Sequence, residues 1–308
     1  VIRKLINKRA PGRRKPGSGL GEIPRINLAR WVRINDRARR EAVPLVIAGA
    51  VAESTAVREW TPRSLASRFD IEVHAALDLP GTRAPYVDYE SAHGARIPFP
   101  ELVDRIERGE RCYLAQANLD HFVGLDEELD LSDLTAVPRY GLNLWVGGRT
   151  RSGLHFDSAD NVLVQIFGRK RAVLVAPDHV RALHVLSDVP SKSSLSPDEI
   201  ELAGDGPLRR IERWRATLDP GDALFVPRGW WHYLASPGPS ISVNHWHGEH
   251  LTAKDHLVPF LHAGPRIWGC TARDFLWCGV LGRAHRQRLF SPPPLGVDLH
   301  RRLTGRRR

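Results

Sequence analysis

Between residues 140 and 244 the chain is a succession of short β-rich runs separated by turn residues, and few folds accommodate that pattern. Residues 141–146, 162–167, 171–175, 223–226 and 240–246 are rich in Val, Ile, Leu, Phe and Trp, and each is too short for a helix. Gly147-Gly148, Gly168, Pro177, Pro220-Gly221 and Pro237-Gly238 punctuate them. Strands of this length bury their apolar faces by closing into a sandwich or barrel. The 23 prolines and 26 glycines of the 308 residues suit such a fold better than a helical bundle.

The flanks read differently. Residues 1–24 mix Arg, Lys, Gly and Pro, the composition of a mobile arm. Residues 43–51 form a buried-strand candidate. Thr61-Pro62 opens a helix, with Thr as N-cap and Pro in the first turn. Residues 99–108 form an amphipathic helix, with Leu102, Val103 and Ile106 on one face and Gly109 at its end; residues 111–117 follow as a strand. The polar stretch 187–207 is expected as a surface insertion. Residues 251–262 and 273–288 are expected as helices outside the barrel, and 301–308 as a frayed end. The expected organisation is a basic arm over 1–24, a catalytic barrel over 25–250 and a helical extension with a basic tail over 251–308.

The formal charge of +10 is unevenly spread. Residues 1–40 carry +11 and residues 265–308 carry +8, so residues 41–264 carry −9. A body built to grip nucleic acid would show the reverse. The basic ends could touch phosphate, but nucleic acid is not the favoured partner. Cys112, Cys270 and Cys278 are odd in number and contain no CxxC pair, which argues against a disulfide framework and a zinc–cysteine site and fits a reducing compartment. The basic N-terminus has no apolar h-region, and the longest apolar run, 43–52, is far short of a membrane span. A cytoplasmic location without membrane association is expected.

The chemistry lies in two segments. His155 and Asp157 form a His-x-Asp pair, and on a strand positions i and i+2 face the same side. Imidazole and carboxylate then enter one cavity, with Phe156 turned away. His232, beyond the 219–231 strand-turn segment, is the best third ligand. Two histidines and a carboxylate on one side of an octahedral ion leave three open positions, the facial triad of non-haem iron(II) oxygenases. Zinc hydrolases also use two histidines and a carboxylate, commonly as His-Glu-x-x-His on a helix, and that motif is absent.

At these residues the chain resembles the JmjC/cupin-like iron(II)- and 2-oxoglutarate-dependent hydroxylases, among them the asparaginyl hydroxylase that acts on hypoxia-inducible factor. The resemblance covers about Trp31 to Glu249. It is carried by Asn143-Leu144-Trp145-Val146-Gly147, by the His155 segment through Gln165-Ile166-Phe167-Gly168-Arg169-Lys170, by 220–232, and by Ser242-Val243-Asn244-His245-Trp246. It implies a mainly β fold, a double-stranded β-helix (jelly-roll, cupin-like) with flanking α-helices. It also implies bound Fe(2+), 2-oxoglutarate as co-substrate and O2 as oxidant, with release of succinate and CO2.

Residue roles follow from the same resemblance. Lys170 matches the lysine that pairs with the distal carboxylate of 2-oxoglutarate, and Tyr113 matches a tyrosine donating to that carboxylate. Ser152 stands where the relative has a threonine, so its hydroxyl could reach the same group or serve as a turn serine. Asn161 and Asn244 match two asparagines near the metal-proximal end of the co-substrate. Trp145, Trp230, Trp231 and Trp246 are expected as core and cavity wall, and His245, His247 and His250 as structural or exposed. The implied activity is hydroxylation of a protein or peptide side chain, with N-demethylation as a chemical variant. Two alternatives stay open: a cupin-type metal protein without 2-oxoglutarate chemistry, and a non-catalytic binding barrel. A homodimer through the C-terminal helices is a further expectation.

Overall fold

The computed structural model describes residues 20–80, 90–135, 141–202, 211–247, 264–288 and 290–305. Its larger sheet contains β2 (Arg25–Asn27), β3 (Leu45–Ala48), β4 (Glu72–Ala76), β5 (Gly94–Pro98), β6 (Tyr113–Asn118), β7 (Leu142–Gly147), β8 (Asp160–Phe167), β11 (Ala223–Val226) and β13 (Ser240–His247), in the order β2-β3-β11-β8-β13-β7-β6-β4-β5. The smaller sheet contains β1 (Leu20–Glu22), β9 (Lys170–Val175), β10 (Arg213–Leu218) and β12 (Trp231–Ala235), in the order β1-β10-β9-β12. From β7 to β13 the chain passes repeatedly between the two sheets. Every pairing among these seven strands is antiparallel. This is the winding of a cupin-like double-stranded β-helix.

Alternation along the strands decides what faces the space between the sheets. In β8, Val162, Val164 and Ile166 join the large core, whereas Leu163 joins a second cluster with Leu174, Leu218 and Leu224. In β13, Ile241 and Val243 join the large core. That core is closed by α1 (Leu28–Arg40) and α3 (Phe99–Glu107), which bury Trp31 and the Phe99, Leu102, Val103 and Ile106 face. On the opposite parity of these two strands, Asn161, Gln165, Ser242 and Asn244 are polar, and all four are buried. Apolar side chains thus fill only part of the lumen.

Local signals explain the flanking elements. α2 (Pro62–Arg68) starts in a capping box between Thr61 and Ser64. Asn27 caps α1 by accepting from the Arg30 N–H at 2.9 Å.

Several expectations are corrected. The arm expected over 1–24 gives way to structure at Leu20, because β1 pairs in parallel with β10; residues 1–19 lie outside the described residues. The described part of the 187–207 stretch, 187–202, is no surface insertion, since Val189, Lys192, Ser193, Leu195 and Ile200 are buried, and residues 203–207 lie outside the described residues. Its backbone pairs with the His155 segment: the Phe156 N–H donates to Ser191 O at 3.0 Å and the Ser193 N–H to Leu154 O at 2.9 Å. The 273–288 helix is displaced. The structure has α4 (Pro265–Asp274) running into a π-helical turn, Phe275–Val280, and Gly282 then takes a φ of +66°. That left-handed residue ends the helix. α5 (Leu295–Thr304) carries the helix through 301–304, where fraying was expected, and residues 306–308 lie outside the described residues. The 251–262 helix falls outside the described residues. No described helix is long and apolar enough to cross a membrane.

Candidate metal centre

His155 and Asp157 lie on an extended segment held against β12 by two isolated bridges, Arg151 to Ala235 and His155 to His232. Reciprocal backbone bonds join the two histidines, His155 N–H to His232 O at 3.0 Å and His232 N–H to His155 O at 2.7 Å. This narrow pairing sets the two imidazoles side by side, with ring centroids 4.3 Å apart. Phe156 points away and packs edge-on against Trp231 at 5.0 Å. His232 is the second residue of β12, inside the barrel, rather than at the end of a turn as its sequence context suggested; it is 2% exposed.

The ligand atoms of His155, Asp157 and His232 all lie within 4.8 Å of one another, and among the described residues no other set of His, Cys, Asp or Glu converges in this way. Each imidazole is oriented by its own strand. Nδ1 of His155 is 2.8 Å from Gly153 O, and Nδ1 of His232 is 3.0 Å from Trp230 O. A carbonyl can only accept, so Nδ1 carries the proton and Nε2 keeps its lone pair for a metal. Burial, and then the neighbouring His232, push His155 down to about 4, so it stays neutral. Burial pushes the Asp157 carboxyl up, but His232, His155 and hydrogen bonds from Trp246 and Asn161 outweigh it and hold the group below the usual carboxylate range. Two imidazole nitrogens and one anionic oxygen, converging within 4.8 Å of one another, fit a divalent cation.

Lys170 opens β9 with its side chain in the same lumen, 3% exposed. Its Nζ donates to Ser242 Oγ at 2.6 Å, and Ser242 in turn donates to Gln165 Oε1 at 2.7 Å. No carboxylate among the described residues forms an ion pair with it. Burial alone drives this ammonium down to about 7. Asn161 and Asn244 are also brought to the centre, linked to each other at 2.9 Å. Tyr113 stands beside Trp145, ring centroids 5.8 Å apart, with Phe290 of the C-terminal extension edge-on to it at 5.6 Å. Ser152 plays a different part. Its hydroxyl accepts from the Leu234 N–H at 2.9 Å and its N–H donates to Leu234 O at 2.8 Å, so it clips the ligand-bearing segment to β12.

Sequence reasoning missed three contributors. Trp246, expected as cavity wall, donates its indole N–H to Asp157 Oδ2 at 2.8 Å. Trp145 donates to Asn244 Oδ1 at 2.7 Å. Lys192 is buried with its backbone bridged to His155, and burial pushes it down to about 8. The two tryptophans were discoverable: both share strand parity with polar residues, Trp145 with Asn143 and Trp246 with Asn244 and Ser242. His245 and His247 are buried and stacked, and so structural; His250 lies outside the described residues.

Residues 32–253 match the model of a family described as a cupin-like domain. The chain is 29% identical over 144 residues to Jumonji C domain-containing protein 5 of Drosophila melanogaster, which covers 44% of this chain and 36% of that protein. It is 29% identical over 171 residues to lysine-specific demethylase 8 of Danio rerio, covering 54% of this chain and 38% of the relative. It is 31% identical over 201 residues to tRNA wybutosine-synthesizing protein 4 of Gibberella zeae, covering 60% and 19%. The chain thus spans less than two fifths of the length of each of these relatives. With the winding of the barrel and the match across most of its length, the chain belongs to the JmjC/cupin-like family.

Proposed function

We propose that this protein is an iron(II)- and 2-oxoglutarate-dependent oxygenase that hydroxylates a protein or peptide side chain. The observation that carries the reading is Lys170. A buried ammonium whose only described side-chain partner is a neutral hydroxyl is costly, and a carboxylate brought by a ligand offsets that cost. A cupin-type metal protein without such a co-substrate has no use for it.

In this reading His155, Asp157 and His232 would hold the metal and Lys170 would anchor the far carboxylate of 2-oxoglutarate. When bound, iron(II) couples oxidative decarboxylation of 2-oxoglutarate by O2, to succinate and CO2, to insertion of the other oxygen atom into a substrate C–H bond. The chain's own contribution is orientation and exclusion of water. The Gly153 and Trp230 carbonyls fix the imidazole tautomers. Trp246 and Asn161 hold the Asp157 carboxylate anionic. Leu163, Leu174 and Leu224 keep the inner lumen dry. The choice of a protein or peptide substrate draws on the −9 charge of residues 41–264, which suits a neutral or cationic partner better than bare nucleic acid, and on the name of one relative, a lysine-specific demethylase.

Mixing the protein with iron(II) and 2-oxoglutarate without O2 is expected to give a weak visible charge-transfer band, and admitting O2 is expected to release succinate. His155→Ala is expected to abolish both. A wild-type protein that neither binds nor consumes 2-oxoglutarate would sink the reading. Candidate peptides are then screened by mass spectrometry for the gain of one oxygen atom.

A further inference from the structure

We infer that Trp145 is a positioning residue for the Asp157 carboxylate, acting through Asn244 and Asn161, and that this relay reserves Asp157 Oδ2 for hydrogen bonds and leaves Oδ1 to the metal. The inference rests on the metal centre proposed above.

The direction of the relay follows from donor chemistry. An indole N–H can only donate. The 2.7 Å contact from Trp145 Nε1 therefore fixes the Asn244 oxygen toward Trp145 and turns the Asn244 amide nitrogen the other way. That nitrogen donates to Asn161 Oδ1 at 2.9 Å. Asn161 must then present its own nitrogen to Asp157, and it does so at 3.3 Å from Oδ2. Flipping either amide would set donor against donor or acceptor against acceptor inside a buried chain and leave those groups unsatisfied. Trp246 donates to the same Oδ2 at 2.8 Å. Two N–H groups thus occupy the lone pairs of Oδ2, and among the described residues none is directed at Oδ1.

The strands make the relay stiff. Trp145 lies on β7, Asn244 and Trp246 on β13 and Asn161 on β8, and these three strands are hydrogen-bonded neighbours. Asn244 and Asn161 are 1% and 5% exposed, so water does not compete for their amides. An oxygen held by two donors on rigid strands cannot swing toward the ion, and the carboxylate is limited to one metal bond. That keeps positions on the metal open for other ligands.

The test uses the full chain, metal-free and without 2-oxoglutarate, titrated with Co2+ by calorimetry and by visible absorption. Trp145→Phe keeps the ring and removes the donor. It is expected to weaken Co2+ binding by about 10- to 100-fold, the usual cost of losing an outer-shell partner, and to shift the ligand-field bands. Asn161→Ala is expected to do the same, and the double variant to bind no more weakly than Asn161→Ala alone, because both break one chain. Should Trp145→Phe not fold, Asn244→Ala interrupts the relay at its middle and takes its place in the comparison. Wild-type affinity and bands in Trp145→Phe, or additive losses in the double variant, would overturn the relay. A wild-type chain that takes up no Co2+ overturns the metal centre itself and the relay with it. Lowered thermal stability with unchanged affinity and bands marks Trp145 as packing only, and also overturns the inference.

Discussion

Lys170→Met is expected to stabilise the ligand-free protein while removing its ability to bind 2-oxoglutarate. Methionine preserves the length of the side chain and leaves no charge in the lumen. In the native protein burial brings Lys170 from its ordinary 10.5 to about 7. Below pH 7 the folded chain must carry a buried ammonium, which is worth on the order of 5 kcal/mol of lost stability. Between pH 7 and 10.5 the unfolded chain binds a proton that the folded chain has released, so wild-type stability rises with pH across that window. The gain from Lys170→Met is therefore largest near pH 6 and shrinks toward pH 10, offset in part by the lost bond to Ser242. Urea titrations at the two pH values read it directly. The same substitution is expected to weaken 2-oxoglutarate binding by at least about a hundredfold, since removing one partner of a buried ion pair costs about 3–5 kcal/mol. For the wild type, affinity is expected to fall about tenfold per pH unit above 7, with uptake of a proton on binding. Undiminished 2-oxoglutarate affinity in Lys170→Met would remove the anchor from the proposal. A variant less stable than wild type at pH 6 would show that Lys170 is already satisfied in the free protein.

That trade of stability for a ligand site also explains what the sequence made legible. Asn244 is a polar residue in a run that otherwise reads as buried strand, and it stands out because burying it needs a reason; His155 and Asp157 stand out by their i, i+2 spacing, and Lys170 only through the family resemblance. The core strands were visible for the converse reason: their outward positions are Val, Ile and Leu, packed under α1 and α3. What stayed hidden depends on pairing across the chain. β10 reads Arg-Trp-Arg-Ala-Thr-Leu and becomes a strand by lying between β1 and β9. Lys192 is buried because its segment pairs with the His155 segment, some forty residues earlier in the chain. The last part of the expected 273–288 helix, 283–288, instead runs as non-helical chain back to the barrel, where Arg288 meets Asp188 at 2.7 Å, and Phe290 beyond it meets Tyr113. Helical periodicity carries no record of such contacts. Trp145 and Trp246 were assigned to the wall because apolar area dominates a tryptophan, and a single N–H decides their role here.

Gly168→Ala is expected to cost about 2–4 kcal/mol of stability, from forcing a side chain into a left-handed conformation and from overpacking the turn. Gly168 and Arg169 form the whole passage from β8 in the large sheet to β9 in the small one. So short a crossing needs a left-handed residue, and Gly168 has a φ of +69°. It also needs close approach, because a Cβ at this position would lie inside van der Waals contact of Pro239 O. That oxygen belongs to the backbone entering β13 and cannot rotate aside as a side chain would. The turn is tied to the Lys170 end of the lumen as well. The Gln165 amide donates to Phe167 O at 2.6 Å and to Gly168 O at 3.0 Å, while its oxygen accepts from Ser242, the partner of Lys170. Displacing the turn therefore moves the polar cluster that sets the Lys170 ammonium, so Gly168→Ala is expected to weaken 2-oxoglutarate binding as well as the fold. Arg169→Ala is the control. Arg169 pairs with Asp219 on the surface, both side chains more than half exposed, and its loss is expected to change stability by less than about 0.5 kcal/mol and to leave binding intact. Urea unfolding of the two variants separates the cases. A Gly168→Ala protein within about 0.5 kcal/mol of wild type, the range of an ordinary surface change, would mean that β8 and β9 can be joined without the left-handed turn. The register of Lys170 would then have to be set by β10 and β12 alone.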